Sequence, residues 1–115
     1  MITGFKCVNI SSKDPESLAD FYRSISAPVF VEDGNYDGWF LGEPDHGGTV
    51  CVWDETRWGK STAGFVTVVF QTDDVQKTYE EITAKGIQVP PPRRADWGGQ
   101  ELIFNDPDGN VVMLL

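Results

Sequence analysis

The chain is poor in cysteine and histidine, and it contains no long apolar run. Only two of its 115 residues are cysteine, and one is histidine. There is no CxxC pair and no set of Cys and His at zinc spacing, which excludes a zinc finger and a disulfide-rich scaffold. No apolar run approaches the roughly 20 residues that a membrane-spanning helix needs. The sequence therefore predicts a reduced chain without a membrane anchor.

Positive charge is also scarce. Lys and Arg number 9 against 18 Asp and Glu, which gives a formal net charge of −9 at pH 7. Phosphates and anionic lipids would be repelled, so nucleic acid and membrane surfaces are excluded as partners. The same charge favours solubility and would attract a cationic ligand to a pocket. The opening residues lack the basic and apolar regions of a secretory signal, so we expect a cytoplasmic location.

What is present is enough apolar material for a core. Hydrophobic residues make up 40% of the chain and aromatic residues 12%, and the length is common for a single domain. We therefore predict one domain over residues 1–115. Cys7 and Cys51 both lie in apolar, strand-like runs, where a free thiol behaves as a small hydrophobic side chain.

The order of elements repeats after about 60 residues. A strand is followed by a helix capped by Asp14, and the same pattern restarts with a helix capped by Asp73 or Asp74. The expected strands are 2–10, 29–32, 38–41 and 49–53, then 65–71, 87–89, 101–104 and 110–115. Residues 55–64 are polar and read as a linker, and the triple proline at 90–92 ends a strand.

The repeat predicts an α+β fold. It is built from two βαβββ modules, residues 1–57 and 63–115, that together form an open curved sheet. Similar turns, Glu43-Pro-Asp-His-Gly and Asp106-Pro-Asp-Gly, precede the last strand of each module. We expect a concave site between the modules.

Two stretches resemble the vicinal oxygen chelate superfamily, which includes glyoxalase I, extradiol dioxygenases, fosfomycin-resistance enzymes and bleomycin-binding proteins. The first stretch runs from Val8 through Asp14-Pro-Glu to Phe21-Tyr22, and the second is Leu102-Ile-Phe-Asn-Asp-Pro-Asp-Gly-Asn110. The resemblance extends over essentially the whole chain. It implies a glyoxalase/bleomycin-resistance/dioxygenase-like fold with an open cup, assembled as a homodimer.

The resemblance also locates four metal-ligand positions, which in enzymatic members carry His and Glu. Here they fall on Cys7, Thr67, Met113, and Cys51 or Val52. Cys and Met are soft donors that suit copper(I) better than the cations those enzymes use. His46 lies in a Gly-rich turn, where a lone histidine is most often a solvated residue. We therefore expect no metal and no cofactor.

Without a metal, the cup becomes a candidate surface for binding a small molecule. The expected ligand-binding residues are Phe5, Cys7, Asn9, Trp39, Phe65, Thr67, Trp97, Val111 and Met113. Trp58 and Trp97 lie in polar, Gly-flanked loops, where an indole serves as a stacking platform or interface anchor. Nearby acidic residues suit a flat or cationic ligand, whereas Arg93 and Arg94 suit an anionic one.

Three functions remain open. The first is a non-catalytic protein that binds a small aromatic or cationic molecule in the cup or at the dimer cleft and so sequesters an antibiotic. The second is a lyase or dioxygenase with an atypical metal site, for which Glu101 is a weak candidate general base. The third is a structural or regulatory dimer with a vestigial cup. We favour the first.

Overall fold

The computed structural model describes residues 1–32, 38–45 and 47–115, and of Trp58 only the backbone. The chain divides into two compact units, Met1–Ala63 and Gly64–Leu115, and each is described by itself below. Among the described residues, no helix has the length and apolar character needed to cross a membrane.

Unit 1 contains a four-stranded sheet with one long helix. Its elements are β1 (Cys7–Ser12), α1 (Pro15–Ser24), β2 (Val29–Phe30), β3 (Gly38–Leu41), β4 (Thr49–Asp54) and α2 (Glu55–Trp58). The strand order is β1-β4-β3-β2. β1 and β4 run parallel, and the other neighbours run antiparallel.

Unit 2 repeats this topology. Its elements are β5 (Thr67–Phe70), α3 (Val75–Ala84), β6 (Arg93–Arg94), β7 (Gln100–Asn105) and β8 (Val111–Leu114), with strand order β5-β8-β7-β6. The first and last strands are again parallel neighbours. The predicted α+β class with one βαβββ pattern in each half is confirmed.

Both helices begin at an aspartate. The Asp14 carboxylate accepts a hydrogen bond from the Ser17 backbone N–H at 3.2 Å, and Asp74 accepts one from the Lys77 N–H at 3.0 Å. Each carboxylate satisfies a backbone donor that the helix itself leaves unpaired. The sequence left Asp73 and Asp74 as alternatives, and Asp74 is the cap.

Each helix packs on one face of its sheet because strand residues alternate between faces. In unit 1 this face buries Ile10, Leu41 and Val52, against Leu18 and Tyr22 of α1. In unit 2 the buried set is Val68, Ile82, Leu102, Phe104, Val112 and Leu114. The opposite face of each sheet carries no long helix of its own unit among the described residues.

One sequence prediction is wrong in unit 2, and one is wrong at the end of unit 1. Residues 87–89 form no strand, and β6 instead follows the prolines at Arg93–Arg94. Proline has no N–H to donate to a ladder, so pairing resumes only beyond residues 90–92. Residues 55–58, expected as linker, form α2, because the Asp54 carboxylate caps it by accepting the Thr56 N–H at 2.9 Å.

The turn between β7 and β8 is held by a buried polar cluster. Asn110 is 1% exposed; its Oδ1 accepts the Gly64 N–H at 2.9 Å, and its Nδ2 donates to Asp106 Oδ2 at 3.1 Å. Asp106 Oδ1 also accepts the Asn110 backbone N–H at 2.9 Å. These bonds fasten the start of unit 2 to the turn that sets the register of β8.

We predict that Asn110→Ala lowers the free energy of unfolding by about 2–4 kcal/mol, because it leaves a buried N–H and a buried carboxylate without this partner. Asn105→Ala is the matched control: Asn105 is exposed, and its amide makes only long bonds to backbone oxygens of Gly109 and Asn110 at 3.3 and 3.5 Å. Urea unfolding followed by circular dichroism measures both. Equal losses for the two variants would contradict the assignment.

Candidate functional site

The face of the unit 1 sheet turned away from α1 is called open face 1. Its central row runs across the sheet from Asn9 on β1 to Cys51, Phe40 and Phe30, each directly paired with the next. Directly paired residues project to the same side of a sheet. The Phe30 and Phe40 rings are stacked, with centroids 5.0 Å apart and planes inclined by 16°.

Two grooves lie on open face 1. The first has a volume of about 180 Å³ and is lined by Lys6, Cys7, Asn9, Glu32, Gly38, Phe40, Cys51 and Trp53. The second, of about 200 Å³, is lined by Phe5, Lys6, Phe30, Glu32, Pro44, Asp45, Gly47 and Thr49. Both grooves include Lys6 and Glu32, whose Nζ and Oε1 atoms form an ion pair at 2.7 Å.

The floor of the first groove depends on a glycine. A Cβ atom at Gly38 would lie 2.7 Å from Cys51 Sγ and 2.9 Å from the Val52 carbonyl oxygen. Both distances are closer than real Cβ contacts allow, so only glycine lets β3 pair with β4 here. The absence of a side chain also keeps this end of the groove open.

The two cysteines lie on open face 1 but differ in environment. The Cys7 thiol is half-buried and donates to Asn9 Oδ1 at 3.6 Å. Cys51 is 8% exposed. Burial, aided by the nearby charges of Cys7 and Glu32, raises the pKa of the Cys51 thiol to about 11. Cys51 is therefore a neutral thiol at physiological pH.

The corresponding surface of unit 2 is open face 2, which carries Thr67, Val69, Glu101, Ile103, Val111 and Met113. Thr67 pairs with Val111, and Val69 pairs with Met113, which in turn pairs with Ile103. Most of these side chains are apolar, and Val69 is 53% exposed. A separate groove of about 380 Å³ lies near the end of β5 and is lined by Val69, Phe70, Gln71, Thr72 and Leu115.

Glu101, the candidate general base, alternates with Ile103 along β7 and so projects to open face 2. Its Oε1 accepts a hydrogen bond from Arg93 Nε at 2.9 Å, and its side chain is 11% exposed. The guanidinium hydrogen-bonds to an oxygen that a general base would need for accepting a proton. The pair gives Glu101 and Arg93 a structural role between β6 and β7. Arg94, next along β6, faces the other side of the strand.

The registers of the two sheets show which of the four positions that the resemblance implies are equivalent between the units. Cys7 pairs with Thr49 on β4, and Cys51 lies two residues after Thr49. In the same way, Thr67 pairs with Val111 on β8, and Met113 lies two residues after Val111. Cys7 and Thr67 are thus equivalent, as are Cys51 and Met113, which selects Cys51 over Val52.

These four side chains offer two thiols, a hydroxyl and a thioether, one of the thiols buried and neutral. Nickel, manganese and iron(II) sites of the kind the resemblance implies use imidazole nitrogens and carboxylate oxygens. Zinc also accepts thiolates, but the Cys51 thiol is buried with its pKa raised to about 11, and a hydroxyl and a thioether are poor ligands for it, so this donor set does not fit these metals. Within residues 1–32, 38–45 and 47–115, no group of three or more His, Cys, Asp and Glu is placed to hold a metal ion. His46 lies outside the described residues.

The remaining sequence-predicted residues are dispersed. Phe5 is 66% exposed and lines the second groove of open face 1. Trp39 pairs with Val52 and lies on the helix-packed face, away from Cys7 and Asn9. Phe65 is 89% exposed just before β5, and Trp97 is 63% exposed in the turn between β6 and β7. The side chain of Trp58 is outside the described part of the chain.

Trp97 owes its position to a glycine. A Cβ atom at Gly99 would overlap the six-membered ring of the Trp97 indole, so only glycine leaves room for the ring here. The turn is closed by a hydrogen bond from the Ala95 N–H to the Gly99 carbonyl at 2.8 Å. The indole is thereby held as an exposed apolar surface.

Sequence reasoning missed the Lys6–Glu32 pair and the stacked Phe30 and Phe40. Lys6 and Glu32 are 26 residues apart and flank strands at opposite edges of the sheet. No local pattern signals such a contact. The aromatic pair was accessible in principle, because antiparallel pairing of the strands at residues 29–32 and 38–41 brings Phe30 opposite Phe40.

Comparison with known proteins agrees with this architecture. The model of the Glyoxalase/Bleomycin resistance protein/Dioxygenase superfamily matches residues 4–114. The chain belongs to this superfamily. No curated protein sequence matches the chain, so the superfamily is assigned without a curated relative.

Solved structures share the fold at low identity. An antibiotic-binding protein from Streptomyces sp. CB03234, TnmS3, is 23% identical with a TM-score of 0.73, covering 98% of this chain and 94% of that one. A bleomycin-binding protein complexed with bleomycin is 22% identical with a TM-score of 0.68, covering 98% and 97%. Lactoylglutathione lyase from Agrobacterium tumefaciens is 16% identical with a TM-score of 0.73, covering 99% and 93%. Members that bind and members that catalyse share this fold.

We predict that Ellman's reagent at pH 8 modifies Cys7 in the folded protein and leaves Cys51 unmodified until urea unfolds it. With a pKa of about 11, roughly one Cys51 thiol in a thousand is ionised at pH 8, and the thiolate is the reactive form. Its reactivity rises only as pH approaches 11. Cys7→Ser should abolish the native reaction, and Cys51→Ser should preserve it. Native reactivity that survives in Cys7→Ser would contradict the assignment.

Proposed function

We propose that this superfamily member binds a small aromatic or cationic molecule on open face 1 without transforming it and without a metal. Sequestration of an antibiotic is the biological role that fits such binding. The observation that carries the proposal is the donor set of the four equivalent positions, Cys7, Cys51, Thr67 and Met113. Cys7 and Cys51 line the first groove as weakly polar side chains, and none of the four positions carries the imidazole or carboxylate ligand that metal-dependent catalysis would use.

The groove walls suit an aromatic ligand. Phe40 and Cys51 lie in the floor of the first groove, and Asn9 adds an amide that fixes orientation by hydrogen bonding. A mostly apolar surface with a small number of polar groups is typical of small-molecule sites. Phe5, which is 66% exposed and lines the second groove, adds further aromatic surface.

Charge supports a cation in particular. A net charge of −9 on 115 residues attracts positive ligands and raises their association rate. Glu32 and Asp45 bring carboxylates to the grooves of open face 1. The solved antibiotic-binding and bleomycin-binding relatives support small-molecule binding as the function. The homodimer implied by the resemblance remains part of the proposal, checked by sedimentation equilibrium.

The test is calorimetric titration of the purified protein with metal-free bleomycin, with ethidium as a flat cation, and with 8-anilinonaphthalene-1-sulfonate as an aromatic anion. We expect saturable binding of a positively charged compound, which mass spectrometry recovers unchanged. Cys7→Phe should weaken binding at least about tenfold, because the larger side chain fills a groove of about 180 Å³.

Val8→Phe is the matched control. It adds the same ring one residue along β1, where the side chain projects to the opposite face and Val8 is already 50% exposed. Binding by Val8→Phe should equal that of the parent protein. Absence of binding to all three compounds, or chemical conversion of a bound one, would overturn the proposed function.

A further inference from the structure

The Lys6–Glu32 ion pair crosses open face 1 from one edge to the other. Lys6 directly precedes β1 and Glu32 lies two residues after β2, and these strands are the two edges of the sheet. β4 and β3 lie between them. The 2.7 Å contact between Lys6 Nζ and Glu32 Oε1 therefore passes over the central strands and forms a wall shared by both grooves.

The two side chains of this ion pair differ in their exposure to solvent. The Lys6 side chain is 73% exposed and the Glu32 side chain 32% exposed. The hydrogen bond to Glu32 raises the pKa of Lys6, so Lys6 carries its positive charge at neutral pH. An exposed ion pair contributes little net stability, and a lysine on its four-carbon stem moves readily into water. Lys6 is thus the partner that leaves, while the carboxylate stays over the groove.

We propose that Glu32 is the anchor for the positive charge of the ligand and that Lys6 is a built-in competitor, displaced when an aromatic cation binds. This inference rests on the proposed function and narrows it to one ligand class and one subsite. The ligand cation would take the place of the Lys6 ammonium at Glu32. Its aromatic part would lie along the groove floor beside Phe40.

Groove size supports displacement. The grooves have volumes of about 180 Å³ and about 200 Å³, each below the roughly 300–1,000 Å³ of sites that take drug-sized ligands. Removal of the shared wall joins them into one groove that reaches the lower end of this range. The Lys6–Glu32 ion pair therefore divides a site that reaches the volume needed for a drug-sized ligand only when the pair is broken.

A cation is favoured over an anion for three reasons. The Glu32 side chain is 32% exposed and lines both grooves, so its carboxylate attracts a positive group there. Asp45 lies in the wall of the second groove and adds negative charge. Phe30 lines the second groove and stacks on Phe40, which is 5% exposed in the floor of the first, and a cation over an aromatic face is attracted by the ring quadrupole.

The experiment measures ethidium and 8-anilinonaphthalene-1-sulfonate binding to Lys6→Ala and Glu32→Gln. Lys6→Ala should tighten ethidium binding about two- to fivefold, because it removes a competitor whose ion pair is weak. Glu32→Gln should weaken it at least about tenfold, because a desolvated charge partner is lost. Lys6→Ala should not tighten binding of the anionic probe.

Charge-matched controls separate the local effect from net charge. Lys77→Ala and Glu81→Gln make the same changes at exposed positions on α3 in unit 2, and neither should alter ethidium binding beyond a small, salt-screened amount. Circular dichroism and urea midpoints confirm that each variant is folded.

The outcomes are distinct. If the parent protein binds ethidium but Lys6→Ala and Glu32→Gln behave as their controls, the Glu32 anchor is wrong and the proposed function stands. Weaker ethidium binding by Lys6→Ala would equally overturn the anchor, as would tighter binding of the anionic probe by Glu32→Gln, which assigns the site to Lys6. If the parent binds neither probe nor bleomycin, the proposed function fails and this inference falls with it.

Discussion

The parallel pairing of the first and last strand in each unit determines which residues face the helix and which face the open side of the sheet. In unit 1 it sets Cys7 against Thr49, and in unit 2 it sets Thr67 against Val111. Because neighbouring residues on a strand face opposite sides, a shift of one residue would exchange the apolar core with the open face. The polar cluster around Asn110 fixes this register in unit 2 by fastening the preceding turn.

The same constraint explains how the superfamily fold supports different functions. The helix-packed faces must stay apolar to form a core, whereas the open faces are free to carry metal ligands, a general base or apolar groove walls. In this chain the four equivalent positions carry sulfur or hydroxyl groups, and Glu101 is engaged by Arg93 at 2.9 Å. The proposed function asks these faces only for recognition of shape and charge.

Much of the fold was predictable because its signals are local. Asp14 and the apolar spacing of α1 mark a helix, and the repeated strand-helix order indicates two similar modules. The turn at Asp106 carries the resemblance that located the metal positions. Residues 87–89 have strand propensity but form no strand, because three prolines follow them and pairing begins only at Arg93. The side to which Trp39 projects is also not given by local sequence, because it depends on pairing with Val52 on β4, which places Trp39 on the helix-packed face. The Lys6–Glu32 bridge depends on the full strand order and lay beyond any sequence pattern.

The most direct test of the central claim is the metal content of the untagged protein after incubation with zinc, nickel, manganese or iron(II) and removal of unbound ions. The donor set at Cys7, Cys51, Thr67 and Met113 predicts that no ion is retained stoichiometrically. Retention of about one ion per chain would contradict the account and would identify a metal centre built from other residues.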